Sequence, residues 1–142
     1  GDGMVAGQVL DLDGKCRSRE QVELLHSLKT GAMIAAAAEL GCVAANAAPE
    51  QRQAARDYAR EVGLAFQIRD DMLDVIADQT EFGKPIGSDR EEGKTTFVDL
   101  IGLDGCEREV AACTGRAKAA LSDFPGNGFL LELADQLAER RK

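Results

Sequence analysis

One stretch, residues 61–78 (EVGLAFQIRDDMLDVIAD), constrains the chain more than any other. Its apolar residues recur at the spacing of an α-helix, and the pattern predicts the second half of a long helix. Asp70 and Asp74 would lie one turn apart on one face of that helix. Gln67 would share their stripe, whereas Asp71 would stand about 100° further round. The helix would therefore carry three carboxylates within five residues.

Three acids held this close among apolar neighbours indicate a cation site. Like charges four residues apart destabilise an isolated helix by roughly 0.2–0.5 kcal/mol, so such a cluster needs a compensating partner. Mg²⁺ takes oxygen ligands and is usually held by one or two carboxylates together with substrate phosphates. We therefore predict that Asp70, Asp71 and Asp74 bind Mg²⁺. The alternative is that the three acids form a solvated helix face.

Helix signals extend over the rest of the chain. Ser18 and Gln21 form a capping-box signature, and Pro49 fits the first position of the long helix. Periodicity and capping predict helices at residues 18–45, 49–78, 95–102, 104–122 and from 127 or 128 onward. No segment has the pattern of a strand, so the sequence predicts an all-α fold.

Composition excludes several classes of partner. The net charge of −8 argues against nucleic acid or an anionic membrane surface as a partner. No apolar run reaches the length of a transmembrane helix, so we expect no stable membrane insertion. The four cysteines show no CxxC spacing, which is typical of ordinary thiols in a reducing cytoplasm.

A second motif, H-x-x-K-T-G, ends at Gly31. The Thr30 hydroxyl can bond back to a carbonyl one turn earlier and bend the helix, and glycine weakens the helix further. A bend there would turn a backbone carbonyl near Lys29 toward a developing positive charge. The Lys29 ammonium could bind a diphosphate; the alternative is a solvated lysine.

Further basic residues follow the aspartates. Residues 78–93 break the helical periodicity and form a long predicted loop, which is the kind of segment that is often functional or disordered. Lys84 lies in this loop and Lys94 follows it. The chain ends in Arg140, Arg141 and Lys142, which the helix dipole would favour at a C-terminus in any case.

The pattern F-Q-x-x-D-D-x-x-D, together with K-T-G and a later G-K, resembles the second aspartate-rich motif of the trans-isoprenyl diphosphate synthases, the polyprenyl synthetase family. Within that family the chain most resembles farnesyl diphosphate synthases of the bacterial type or their geranylgeranyl relatives. The resemblance covers residues 1–142 as the C-terminal half of such a domain. The resemblance implies an antiparallel helical bundle, half of an isoprenoid-synthase fold, and head-to-tail condensation of isopentenyl diphosphate with an allylic diphosphate.

The resemblance also implies a role for each matching residue. Mg²⁺ would be bound, directly or through water, by Asp70, Asp71 and Asp74. The leaving diphosphate would be held by Lys29 and Lys84, with Lys94 nearby. Thr30, Gln67 and the Lys29 carbonyl would stabilise the carbocation or steer the proton lost at the end. The basic tail, Arg140, Arg141 and Lys142, would close over the bound homoallylic substrate.

The family's first aspartate-rich motif has no counterpart in this sequence. We therefore expect a fragment or half of a split enzyme that is inactive alone. It would associate with the missing N-terminal half or form a homodimer. The alternative is a noncatalytic partner subunit that binds and modulates a complete prenyltransferase.

Overall fold

The structure, a computed structural model, describes Ser18, Gln21 and residues 30–82 and 95–141, except the side chains of residues 78–82. Within those ranges the chain is helical without strands, which confirms the predicted fold class. The helices are α1 (Ala32–Ala44), α2 (Pro49–Phe82), α3 (Phe97–Ala120) and α4 (Gly128–Glu139).

Helix α2 is the axis of the fold and carries the aspartates. It begins at Pro49, as predicted, and the Gln51 side chain accepts a hydrogen bond from the Ala48 amide (2.9 Å) just before it. The helix continues to Phe82, about one turn beyond the end predicted near residue 78. Loss of apolar periodicity does not itself unwind a helix, and the sequence has no glycine or proline between residue 78 and Gly83.

The remaining helix ends depend on capping and on one glycine. Helix α3 begins at Phe97, slightly later than predicted, because Thr96 and Asp99 form a reciprocal capping box. The predicted break after the first turn and a half is present, since Gly102 adopts φ 70° and ψ 170° inside α3. The Ser18–Gln21 capping box is also confirmed, by hydrogen bonds of 3.2 and 3.3 Å.

Contacts between the helices show that each runs antiparallel to the one before it. The pairs that establish this order are Gly31–Gly63 and Glu39–Arg56 for α1 and α2, and Glu61–Arg116 and Asp71–Phe97 for α2 and α3. In α4, Leu130 near the start packs against the cluster that contains Leu121 of α3, and Ala138 near the end packs against the cluster that contains Cys106.

The core lies between α2 and α3, so one face of α2 is buried and the aspartates lie outside it. Ile68 and Met72 are almost fully buried against Phe97 and Cys106 of α3. A second cluster contains Tyr58 of α2 and Ala134 of α4. No helix in the described ranges combines the length and apolar character that crossing a bilayer requires.

Candidate functional site

Asp70 lies beside the end of α4. Its Oδ1 atom forms an ion pair with the guanidinium of Arg140, the first residue after α4. The same guanidinium lies over the ring of Phe66, 4.1 Å from its centre. Phe66 and Asp70 are one helical turn apart, so together they hold Arg140 against one face of α2. The structure therefore brings one candidate metal ligand together with one residue of the basic tail.

Arg69 holds the backbone of this tail and was missed in the sequence. Its Nε donates to the Arg140 carbonyl (3.0 Å), and its Nη1 pairs with Glu107 of α3 (2.8 Å). The Arg69 side chain is only 13% exposed, which is low for an arginine. The available signal was its position directly after Ile68, on the edge of the buried face of α2. Arg69 thus joins α2, α3 and the tail.

Asp71 points away from Asp70, toward the start of α3. Its Oδ2 accepts a hydrogen bond from the backbone amide of Phe97 (3.0 Å), the first residue of that helix. A carboxylate is favourable there because the amides at a helix N-terminus carry partial positive charge. Asp71 therefore has a structural partner that the spacing of the motif did not predict, while its role as a metal ligand stays a prediction.

Asp70 and Asp74 are the two candidate metal ligands that lie on one stripe of α2. Among the residues whose positions are described, no three His, Cys, Asp or Glu side chains form a group that could hold a metal. Asp70 is partly exposed and Asp74 is exposed, one turn along α2 on the same stripe. Two carboxylates supply the hard oxygen ligands that Mg²⁺ takes when substrate phosphates complete its shell. Asp70 and Asp74 are thus the residues that would hold it.

Thr30 lies at a widened helical turn, and the bend predicted there involves Lys29 and earlier residues that lie outside the described ones. Thr30 and Gly31 form a π-type turn immediately before α1, and such turns often mark functional positions. A Cβ atom on Gly63 would lie 3.2 Å from the Gly31 Cα, so α1 and α2 approach closely here. Gln67 follows Gly63 by one turn and is half-buried, as is Thr30. Thr30 and Gln67 therefore both lie near the place where the start of α1 approaches α2.

Four of the candidate residues, Lys29, Lys84, Lys94 and Lys142, lie outside the described residues. Their assignments stay predictions. Arg141 is described and is exposed.

The buried thiols of α3 are held in their neutral form. Burial raises the pKa of Cys106 to about 11, and the negative charges of Asp71 and Glu107 add to the effect. Burial likewise raises the pKa of Cys113 to about 12. A thiolate is the nucleophilic form, so neither group is suited to nucleophilic chemistry near neutral pH.

Comparison with known proteins places this geometry in a family. The polyprenyl synthetase family profile matches residues 2–123. The chain belongs to the polyprenyl synthetase family. It is 36% identical to the farnesyl diphosphate synthase of Haemophilus influenzae, over 98% of this chain and 48% of that protein. It is 37% identical to the farnesyl diphosphate synthase of Escherichia coli, over 99% of this chain and 49% of the relative.

Solved structures of the polyprenyl synthetase family show the same helical arrangement. The decaprenyl diphosphate synthase of Rhodobacter capsulatus superimposes with a TM-score of 0.84 at 26% identity, over 99% of this chain and 57% of that one. The geranyltransferase of Legionella pneumophila superimposes with a TM-score of 0.75 at 35% identity, over 96% and 44%. The chain spans about half the length of the curated relatives it matches.

Proposed function

We propose that this chain is the part of a prenyl diphosphate synthase that carries the second aspartate-rich metal motif. The observation that supports this most is the convergence of Asp70, Arg140 and Phe66 on one face of α2. Carboxylates for a metal and a guanidinium for a phosphate are the groups that a diphosphate substrate needs. The relatives are named as farnesyl diphosphate synthases, which agrees with this chemistry.

In the proposed reaction the C–O bond of an allylic diphosphate breaks, and the diphosphate leaves with the electron pair. The double bond of isopentenyl diphosphate attacks the resulting carbocation, and loss of a proton restores a double bond. Bound Mg²⁺ would supply charge neutralisation at the leaving group. Asp70 and Asp74 would hold that metal, while Lys29, Lys84 and Lys94 would bind the leaving diphosphate.

The other residues of the site would act on the carbocation and on the homoallylic substrate. Thr30, Gln67 and the Lys29 carbonyl would stabilise positive charge or steer the proton that is lost, because preorganised dipoles act most strongly where charge develops. The basic tail, Arg140, Arg141 and Lys142, would bind the diphosphate of the homoallylic substrate. Asp71 would fix the start of α3 beside the motif and could reach a metal only from the side.

The proposal includes association with further protein. Met33, Leu40 and Val43 of α1 are exposed large apolar side chains, 53–69% accessible. Apolar residues clustered on one exposed helix are typical of surfaces that another protein covers. The remainder of the synthase, or a second copy of the chain, would bury them.

The test is a prenyl-transfer assay with radiolabelled isopentenyl diphosphate, geranyl or dimethylallyl diphosphate, and Mg²⁺. We expect no product from this chain alone, and product from the full-length protein that contains it. Turnover by the purified chain would refute the first expectation, and an inactive full-length protein would refute the second. A chain that instead changes the rate of a complete, separate synthase would identify the noncatalytic partner.

A further inference from the structure

The end of α4 meets the aspartate face of α2 at Arg140, and three contacts fix this residue there. Asp70 pairs with its guanidinium, the Phe66 ring lies 4.1 Å below it, and Arg69 binds its carbonyl at 3.0 Å. Its side chain is 24% exposed, and its Nε is buried without a hydrogen-bond partner among the described residues. An arginine side chain does not usually give up this much hydration.

We propose that Arg140 is the resident counter-ion of Asp70, and that a divalent cation must displace it in order to bind there. The inference rests on the proposed function, which makes Asp70 a metal ligand. Arg69 is then a positioning residue, because it holds the Arg140 backbone next to Asp70 and is itself anchored to Glu107.

The physical basis is competition for one carboxylate. A docked guanidinium neutralises the carboxylate charge that attracts a metal. The apparent metal affinity therefore equals the intrinsic affinity multiplied by the fraction of chains in which Arg140 is not docked. Binding free energies are reciprocal, so metal binding must favour release of the tail by the same factor. The released guanidinium keeps its charge and its fork of donors, which suit a phosphate group. Arrival of the metal would thus free Arg140 for the diphosphate of a substrate.

The test measures Mn²⁺ affinity by electron paramagnetic resonance on the complete 142-residue chain, with no diphosphate present. The variant is Arg140→Lys, and the control is Arg108→Lys at an exposed arginine of α3. Both substitutions keep the net charge, so a long-range field cannot explain a difference between them. Lysine loses the ring contact and the planar fork, so we expect Arg140→Lys to bind Mn²⁺ about two- to fivefold more tightly than wild type. The control should match wild type.

A second measurement follows the tail directly. The Nε–Hε resonance of Arg140 should shift during a Mg²⁺ titration of the wild-type chain and stay fixed in Asp70→Asn. Equal Mn²⁺ affinity of Arg140→Lys and wild type, with an unmoved resonance, would overturn the displacement. So would the absence of Mn²⁺ binding to every variant.

The two proposals fail in different ways. If Asp70→Asn loses Mn²⁺ affinity while Arg140→Lys equals wild type, only the counter-ion role is wrong. If Asp70→Asn binds Mn²⁺ as wild type does, the metal assignment in the proposed function is wrong as well.

Discussion

Substitution of Asp71 tests whether the aspartate motif anchors the start of α3. Its carboxylate accepts a hydrogen bond from the Phe97 amide, and Phe97 is fully buried. The bond is part-buried, and Asp71→Ala removes the carboxylate that accepts it. Asp71→Asn keeps an oxygen acceptor of nearly the same shape and loses only the charge.

The expected magnitudes separate these two variants. A hydrogen bond to a charged group contributes about 1.5–3 kcal/mol. We therefore expect Asp71→Ala to lower the free energy of unfolding by about 2–3 kcal/mol. Asp71→Asn should lose only the interaction of the charge with the helix end, about 0.3–1 kcal/mol.

The assay is urea unfolding of the 142-residue chain, followed by circular dichroism in the presence of a chelator. Asp123→Ala, at an exposed carboxylate in the turn after α3, controls for loss of one negative charge. We expect the control to stay within about 0.5 kcal/mol of wild type. Equal stabilities for Asp71→Ala and wild type would refute the helix-anchoring role. Equal losses for Asp71→Ala and Asp71→Asn would show that charge, not the acceptor, carries the effect.

Two further predictions concern the core. Tyr58→Phe should lower the free energy of unfolding by about 0.5–1.5 kcal/mol in the same urea assay, since the buried hydroxyl donates to the Leu130 carbonyl at 2.7 Å; an unchanged stability would contradict that bond. Cys106 and Cys113 should resist alkylation at pH 8 until the chain unfolds, because burial raises the pKa of each above its ordinary value of 9.0. Their raised pKa values mean that the unfolded chain loses these protons first, so stability should fall from about pH 9 through about pH 11 for Cys106 and about pH 12 for Cys113. Rapid labelling of the native thiols, or stability that rises over that range, would contradict this.

The sequence predicts the helices well because their signals are local. Apolar periodicity, Pro49 at a first position and the Ser18 capping signature depend only on neighbours a turn away. The bounds of α2, α3 and α4 agree with the structure to within a few residues, and the largest difference among them is the end of α2 at Phe82. Of the helix predicted at residues 18–45, residues 22–29 lie outside the described residues, and α1 is described from Ala32.

Local sequence signals predict only part of the candidate site. Helical spacing separates Asp70 and Asp74 from Asp71, and the structure gives Asp70 and Asp71 different partners, as that rotation implies. The identity of those partners, Arg140 and the Phe97 amide, lies 70 and 26 residues away in the chain. A single sequence carries no signal for contacts at that separation, and the role of Arg69 is hidden for the same reason.

The pairing of Glu61 with Arg116 shows what the sequence does not predict in the core. Glu61 is 8% exposed and accepts a hydrogen bond of 2.8 Å from the Arg116 Nε, which raises the pKa of that arginine. A glutamate in a helix is normally expected at the surface. Its burial follows from α3 lying against α2, which the sequence alone does not show.

The most direct test of the proposed function is the single-turnover rate of prenyl transfer by the full-length protein across a Mg²⁺ titration. On the proposed assignment, Asp70→Ala would remove a direct metal ligand. The transition-state stabilisation at stake would be several kcal/mol, at about tenfold in rate per 1.4 kcal/mol. We predict a loss of about a hundredfold or more for Asp70→Ala at saturating Mg²⁺, with smaller losses for Asp74→Ala and Asp71→Ala. A near-normal rate for Asp70→Ala, alongside a larger loss for Asp71→Ala, would contradict the assignment of the metal face of α2.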